Sequence, residues 1–274
     1  MVTRDGTVST ADLIPVAESC GQSADQVRSC IRRLVADGQL ARVEHQRGVY
    51  RITERASRAL GTNLDRARLA YAQDTAGQGW DHHWHLVAFA IPERRRASRD
   101  DLREGLRELG GAAIQGGLYA SPHAWEPDVA NLAADLGISD QITLAATDEL
   151  SVGAVHDPRG IAAKLWPVAE LADRYRDFVA TFGWVLESLE GLRRKRVRLG
   201  DATFLPGALA MGVQFQNTFD DDPLLPPELL PRPWPGRAAR DLVMKSRRLA
   251  LQLRETQERP ALFHFFDEAL ARLL

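Results

Sequence analysis

The stretch Gln22-Ser23-Ala24-Asp25-Gln26-Val27-Arg28-Ser29-Cys30-Ile31-Arg32-Arg33-Leu34-Val35-Ala36-Asp37-Gly38 decides how the N-terminal part of the chain is read. Val27, Cys30, Ile31, Leu34 and Val35 recur at the spacing of one α-helical face and leave Arg28, Ser29, Arg32 and Arg33 on the other. Ser23 suits an N-cap and Gly38 a C′ position. Leu40 to Thr53 follows as an alternation of apolar and polar residues on either side of Gln46-Arg47-Gly48, the pattern of a β-hairpin. Upstream, residues 9 to 20 read as a shorter helix opened by the capping-box-like Ser9-Thr10-Ala11-Asp12, with Leu13, Val16, Ala17 and Cys20 on one face and Pro15 limiting its regularity. Gly21 supplies the turn. Helix, turn, basic helix and basic hairpin in this order predict a winged helix-turn-helix.

Charge supports that prediction once its distribution is considered. The 274 residues carry a formal net charge of -2, which by itself argues against nucleic acid. From Ser23 to Arg68, however, ten arginines face five acids, a local net of +5. In a helix-turn-helix the second helix enters the major groove, which here would present Ser23, Gln26, Arg28, Ser29, Arg32 and Arg33 to base edges and phosphates. Gln26 and Arg28 are the residue types suited to adenine and guanine edges. Arg42, His45, Gln46 and Arg47 of the hairpin would reach phosphates or the minor groove. The plainer alternative is an ordinary helix with a solvated arginine face.

Other features bound the class. An apolar content of 45% is ample for two or three cores. No run of about 18 apolar residues is present and Met1-Val2-Thr3-Arg4-Asp5-Gly6 has no signal-peptide core, so a cytoplasmic protein is expected, with no membrane partner. Cys20 and Cys30 are expected as buried thiols on adjacent helices. Glu54 to Tyr71 reads as a helix interrupted or ended near Gly61, and residues 73 to 79 as a linker.

The central region reads as strand Leu86 to Ile91, helix Arg99 to Leu109, strand Ala112 to Tyr119, helix Asp128 to Leu136 and strand Gln141 to Thr147. That order predicts a small ferredoxin-like α/β sandwich. His82, His83 and His85 raise a metal site, but the neighbouring residues do not complete a characteristic ligand spacing; a polar strand entrance with aromatic packing from Trp80 and Trp84 is the reading preferred, and neither metal nor cofactor is expected. Arg94, Arg95, Arg96 and Arg99 suit ligand phosphates or a solvated loop. Farther on, Leu171, Tyr175, Phe178, Val179, Phe182, Leu186 and Leu189 form a helical stripe that closes in a basic cluster from Arg193 to Arg198. Six of the 14 prolines fall between Pro223 and Pro235, where an extended segment packing its Leu and Trp side chains is expected. Arg237 to Glu255 and Pro260 to Leu274 are predicted closing helices, the last with Phe263, Phe266, Leu270 and Leu273 on one side.

Several stretches together carry a family resemblance: Gln26 to Leu34; Trp84-His85-Leu86-Val87-Ala88-Phe89-Ala90-Ile91-Pro92-Glu93 with the arginines and Leu102-Arg103 after it; Leu118-Tyr119-Ala120-Ser121-Pro122; and Asp222-Pro223-Leu224-Leu225-Pro226-Pro227-Glu228-Leu229-Leu230-Pro231-Arg232-Pro233-Trp234-Pro235-Gly236. The chain resembles the phenylacetic acid degradation repressor family, the PaaX-like transcriptional regulators. The resemblance implies an α+β multidomain bacterial repressor, acting as a homodimer on double-stranded operator DNA. It further implies a winged-helix domain (1–72), a ferredoxin-like central domain (80–150) and a mainly helical effector and dimerisation domain (151–274). A small effector, an acyl-CoA thioester in the founding branch, would release it. Trp84, Arg94, Arg95, Arg96 and Arg99 are the candidates for that effector, bound between the central and C-terminal domains. Members of the family carry a further helix before the segment equivalent to residues 9 to 20, whereas only eight residues precede Ser9 here, so that helix is expected to be shortened or to begin upstream.

Two rivals come from other classes. The central domain of the family looks like the small CRISPR adaptation nucleases, which hold a divalent metal with an aspartate near the end of the first strand; Leu86 to Ile91 has no acid and runs into Pro92-Glu93. No Gly-x-Ser-x-Gly elbow, Walker loop or dinucleotide fingerprint occurs, so no enzyme is expected. A ligand-binding or scaffold protein that does not bind DNA is the second rival.

Overall fold

A computed structural model describes residues 6–77 and 79–253. The order of elements is β1 (Thr7–Ser9), α1 (Thr10–Ser19), α2 (Ala24–Ala36), β2 (Leu40–Arg42), β3 (Val49–Ile52), α3 (Glu54–Ala76), β4 (Trp84–Phe89), α4 (Arg96–Glu108), β5 (Ala112–Gln115), β6 (Leu118–Ser121), α5 (Glu126–Asp135), β7 (Ile142–Thr147), α6 (Pro158–Leu165), α7 (Val168–Arg194), α8 (Asp201–Asp220) and α9 (Pro235–Leu253). They form two compact units, each discontinuous in sequence. One contains the described residues of Met1–Ala72, Phe178–Gln216 and Ala239–Leu274; the other contains those of Gln73–Asp177 and Asn217–Ala238.

In the first unit α1 begins at Ser9, whose hydroxyl accepts from the Ala11 amide at 3.1 Å; Asp12 does not complete a box. The helix continues through Pro15 to Ser19. β2 and β3 pair antiparallel with Leu40 opposite Ile52, and β1 adds a third strand against β3, which the sequence pattern did not reveal. Val16 of α1 and Cys20, its C-cap residue, pack against a core cluster of Leu189, Phe204, Leu205, Leu249, Ala250 and Leu253. Cys20 is thus half-buried, but Cys30 is exposed, against expectation. On α2 it lies about 100° around the helix from the buried Ile31, at the edge of the stripe that Val27, Leu34 and Val35 continue. Gly61 does not end α3 either. One glycine costs only about 1 kcal/mol against alanine in a helix interior, less than the arginine- and alanine-rich flanks recover. The helix continues to Ala76 and takes up half of the expected linker.

In the second unit β4 is central to an antiparallel sheet of order β5-β6-β4-β7, reached through a β-α-β-β-α-β succession. The single strand expected from Ala112 to Tyr119 is two strands, because Gly116-Gly117 turns the chain back. Gly117 lies so close to β4 that a Cβ there would come within 2.5 Å of the Phe89 carbonyl oxygen, and the Phe89 amide donates to the Gly117 carbonyl at 2.8 Å. Both sheet faces are covered. Val87 and Tyr119 pack with Leu102 and Leu106 of α4 and Val129 and Ala133 of α5. Trp84 and Ala112 pack on the other side with Ile161 and Ala162 of α6, Trp166, Leu225, Leu229 and Leu230. A strand buried on both faces has no polar side to alternate with, so Leu86 to Ile91 reads as one apolar run.

The proline-rich segment is largely irregular, with a short 3-10 turn at Pro227–Leu229, and packs its leucines as expected. α6 and α8 were not anticipated. α8 runs through Pro206, and from Thr203 to Asn217 it has no charged residue to mark a helical face. Glu255 and the predicted helix Pro260 to Leu274 lie outside the described residues. Gly117→Ala is expected to lower unfolding free energy by about 1–3 kcal/mol through the clash with backbone. Gly116→Ala, with nothing within 4 Å of its Cβ, should stay within about 0.5 kcal/mol of the parent in chemical denaturation.

Candidate nucleic-acid interface

α2 owes its start to a complete capping box. The Ser23 hydroxyl accepts from the Gln26 amide at 3.2 Å, and the Gln26 side-chain oxygen accepts from the Ser23 amide at 2.7 Å. Ile31 anchors the helix at 4% exposure, while Ser23, Gln26, Arg28, Ser29, Arg32 and Arg33 are all exposed. Two of these carry local duties. Gln26 has committed its oxygen to the cap, and Arg28 pairs with Asp25 at 2.8 Å. The pair is weak, because both side chains stand in water, at 58% and 93% exposure, and exposed pairs contribute about 0–1 kcal/mol. A phosphate or a guanine edge can therefore take the guanidinium from Asp25. Among the described residues, Arg32 and Arg33 have no side-chain partner at all.

The connection between β2 and β3 presents Arg42, His45, Gln46 and Arg47, all exposed, with His45 in the left-handed region at φ 60°. This hairpin is fastened at both ends. The Gly48 carbonyl accepts from the amide and hydroxyl of Thr10 at 2.9 and 3.1 Å, at the start of α1. The Thr53 hydroxyl donates to the Gly38 carbonyl at 2.7 Å, directly behind α2. The ten residues therefore stand on one fastened module with their polar ends in water.

The five proposed effector residues are not brought together. Trp84 is 1% exposed and stacks on Trp166 with ring centroids 6.2 Å apart, which makes it a core residue. The arginines follow the opposite end of β4, a strand about 17 Å long. There Arg95 donates to the Gly137 carbonyl at 2.6 Å, Arg99 pairs with Glu93 at 2.9 Å, and Arg96 is shared between Glu93 and Asp100, with Arg94 exposed. Glu93 is thus an exposed ion-pair partner, and β4 itself contains no acid.

Residues 1–56 match a family model described as PaaX-like protein, residues 77–161 the PaaX protein central Cas2-like domain, and residues 166–258 the PaaX-like protein C-terminal domain. The chain belongs to the PaaX-like family. It is 26% identical over 254 residues to the transcriptional repressor PaaX of Escherichia coli (strain K12), an alignment covering 87% of this chain and 73% of that protein. Its fold is similar to that of an uncharacterised protein, Rv0674, from Mycobacterium tuberculosis, with a TM-score of 0.51 and 19% identity over 89% of this chain and 88% of the other.

A polar cluster that sequence reasoning missed lies in the central domain of this PaaX-like chain. His82, His83 and His85 point to three different surroundings: His82 tilts against the Trp80 ring, His83 bonds back to Asp81, and His85 turns inward. His85 Nδ1 lies 2.6 Å from Glu126 Oε1, and its Nε2 lies 2.9 Å from Asp81 Oδ2. A neutral imidazole has one N–H, so only the imidazolium satisfies both carboxylates. Burial pushes the His85 pKa down, but the bonds to Glu126 and Asp81 outweigh it and the net shift is upward. Burial pushes both carboxyls up, but the His83 amide and then His85 bring Asp81 down on balance, and the bond to His85 does so for Glu126. His123, whose Nε2 lies 2.9 Å from the Leu224 carbonyl, shifts down, chiefly by burial and secondarily by the His85 charge. Glu126 lies 41 residues from His85, so no local spacing signals the cluster.

For His85 the folded state holds the proton more tightly than the unfolded chain. Its contribution is complete below the ordinary histidine pKa and is lost as pH rises through the raised folded value. Asp81 and Glu126 act oppositely, their contribution being lost as pH falls through their lowered values, and His123 costs stability below the ordinary histidine pKa. Wild-type stability is therefore expected to decline as pH rises through the His85 transition. His85→Gln should abolish that alkaline decline in denaturation curves collected from pH 6 to 9.

Proposed function

We propose that this PaaX-like chain is a sequence-specific DNA-binding repressor of transcription whose N-terminal module is a winged helix-turn-helix. The observation that carries the reading is α2. It is a fully capped helix that buries Ile31 and leaves Arg28, Ser29, Arg32 and Arg33 in water, in a segment of net +5 within a chain of net -2. Similarity to the E. coli repressor supports the biological role. Arg32 and Arg33 supply phosphate contacts, Arg28 and the free amide of Gln26 read base edges, and the hairpin with Arg42, His45, Gln46 and Arg47 lies along the flanking backbone.

In this reading the protein works in the cytoplasm as a homodimer. Two copies of α2 enter successive major grooves of a partly palindromic operator, with half-sites about 34 Å apart. Among the described residues no helix is long and apolar enough to cross a membrane. Along the sequence the domains are read as 1–72, 80–150 and 151–274, the central one ferredoxin-like and the last contributing residues to both compact units. A small effector, an acyl-CoA thioester by family resemblance, releases the operator by binding two arrangements of the dimer unequally. Its phosphates would be met by exposed arginines such as Arg94 and Arg96, not by Trp84. The nuclease reading has less support, since β4 offers no acid and Glu93 is engaged by arginines.

The experiment is binding of the full chain to fluorescently labelled DNA from its own upstream region at two salt concentrations, with unrelated duplex as competitor. Specific, salt-sensitive binding is expected. Arg28→Ala and Arg33→Ala should each weaken it by about 1–3 kcal/mol with an unchanged circular dichroism spectrum. Unchanged affinity in both would mean that another element reads the DNA, and salt-insensitive or absent binding would favour the scaffold alternative.

A further inference from the structure

Between Leu192 and Leu199 the chain reads Arg193-Arg194-Lys195-Arg196-Val197-Arg198, five bases with no acid from Gly191 to Gly200. A helix C-terminus explains only the first two. α7 ends at Arg194, and cations in a last turn complement the macrodipole. Lys195, Arg196 and Arg198 lie beyond it, in the connection to α8, where the dipole effect has fallen off and Arg196 takes the left-handed φ of 56°. All six side chains are exposed. Among the described residues two of them have ties: Arg194 a loose one to Glu190 at 3.9 Å, and Arg198 a charge-assisted bond to the Gln252 carbonyl at 2.6 Å. Like charges crowded on one turn repel each other, and in a chain of net -2 this is a local concentration, not general basicity.

The placement of the turn gives it a use. Leu192 and Leu199, which flank it, pack against the cluster of Leu189, Phe204, Leu205, Leu249, Ala250 and Leu253, and so do Val16 of α1 and its C-cap residue Cys20. Cys20 is three residues before Ser23, the N-cap of α2. The basic turn is therefore anchored on the same hydrophobic cluster, in the same compact unit, as the end of α1 that leads into the N-terminus of α2.

We propose that Arg193–Arg198 is a second DNA-contact surface, which grips the phosphate backbone beside the bases read by α2 without reading sequence itself. The inference rests on the assignment of α2 as the reading helix. Arginine and lysine on phosphates position a protein on the duplex and carry the salt dependence of its affinity.

The test compares the full chain with the variant Arg194→Gln/Lys195→Gln/Arg196→Asn on its upstream DNA and on unrelated duplex, across a salt series. Each lost phosphate contact makes the slope of log affinity against log salt shallower by about 0.9, so about 2.7 is expected for three. Specific and unrelated DNA should weaken by the same factor, leaving their ratio unchanged, whereas Arg28→Ala, which removes a base-edge contact, lowers the ratio. If the triple variant loses its fold by circular dichroism, the single Lys195→Gln carries the same expectation with a slope change of about 0.9. Wild type without specific, salt-sensitive binding would overturn the α2 reading. Wild-type binding with an unchanged slope in the variant, or a changed ratio at unchanged slope, would overturn this inference alone.

Discussion

The central sheet depends on burying β4 from both sides. Val87 is sealed by α4 and α5, which follow it closely in the chain. Trp84 is sealed by α6, Trp166 and the leucines 225, 229 and 230, which arrive much later. A sheet covered on one face only would leave the Trp84 side in water, and burial of an aromatic side chain of that size contributes about 1.5–3 kcal/mol. The proline-rich segment is thus a second wall of the core. Leu224 shows how it is held: its amide donates to Asp222 at 2.8 Å, and its carbonyl accepts from His123 at 2.9 Å and Gln73 at 3.2 Å. Those three bonds keep a leucine in the left-handed region at φ 54°, where a side chain is disfavoured.

In the other unit a hydrophobic cluster has an electrostatic consequence. α1 has no fully buried residue of its own and takes its packing from Leu189, Phe204, Leu205, Leu249, Ala250 and Leu253. The module that exposes Arg28, Arg32 and Arg33 is therefore built on the same core that carries the Arg193–Arg198 turn. Net charge hides this arrangement, because the acids that balance the chain are spread over other segments.

The His85 cluster is a different use of charge. Asp81 precedes β4 and Glu126 opens α5, so one imidazolium ties the start of the central strand to the start of a helix on the face it packs against. The ring is buried while the Asp81 and Glu126 side chains are 49% and 33% exposed, so loss of His85 returns the carboxylates to water, whereas loss of a carboxylate leaves a buried N–H short of a partner.

Local patterns are legible wherever the physics is local. The Ser23–Gln26 capping box, the turn at Gly21, the hairpin from Leu40 to Thr53, the apolar β4 and the helix packing of Leu102 and Leu106 all depend on residues within a few positions of one another, and the family resemblance rests on such stretches. Where a pattern was misread, the competing effect was also nearby: Gly116-Gly117 folded one expected strand into two, and Gly61 was too weak a breaker for α3. By itself the sequence determined most of the elements, the basic segment and the family, but not β1, α6, α8 or the division of Ala112 to Tyr119 into two strands. Tertiary structure alone decided between packing and ligand contact for Trp84, and decided that Cys30 faces water, that His85 meets Glu126 across 41 residues, and that Leu192 and Leu199, which flank Arg193–Arg198, share a cluster with Val16 of α1. The physical reason is that burial and ion pairing are properties of which distant segments meet, and periodicity says which face of an element is apolar without saying what will cover it.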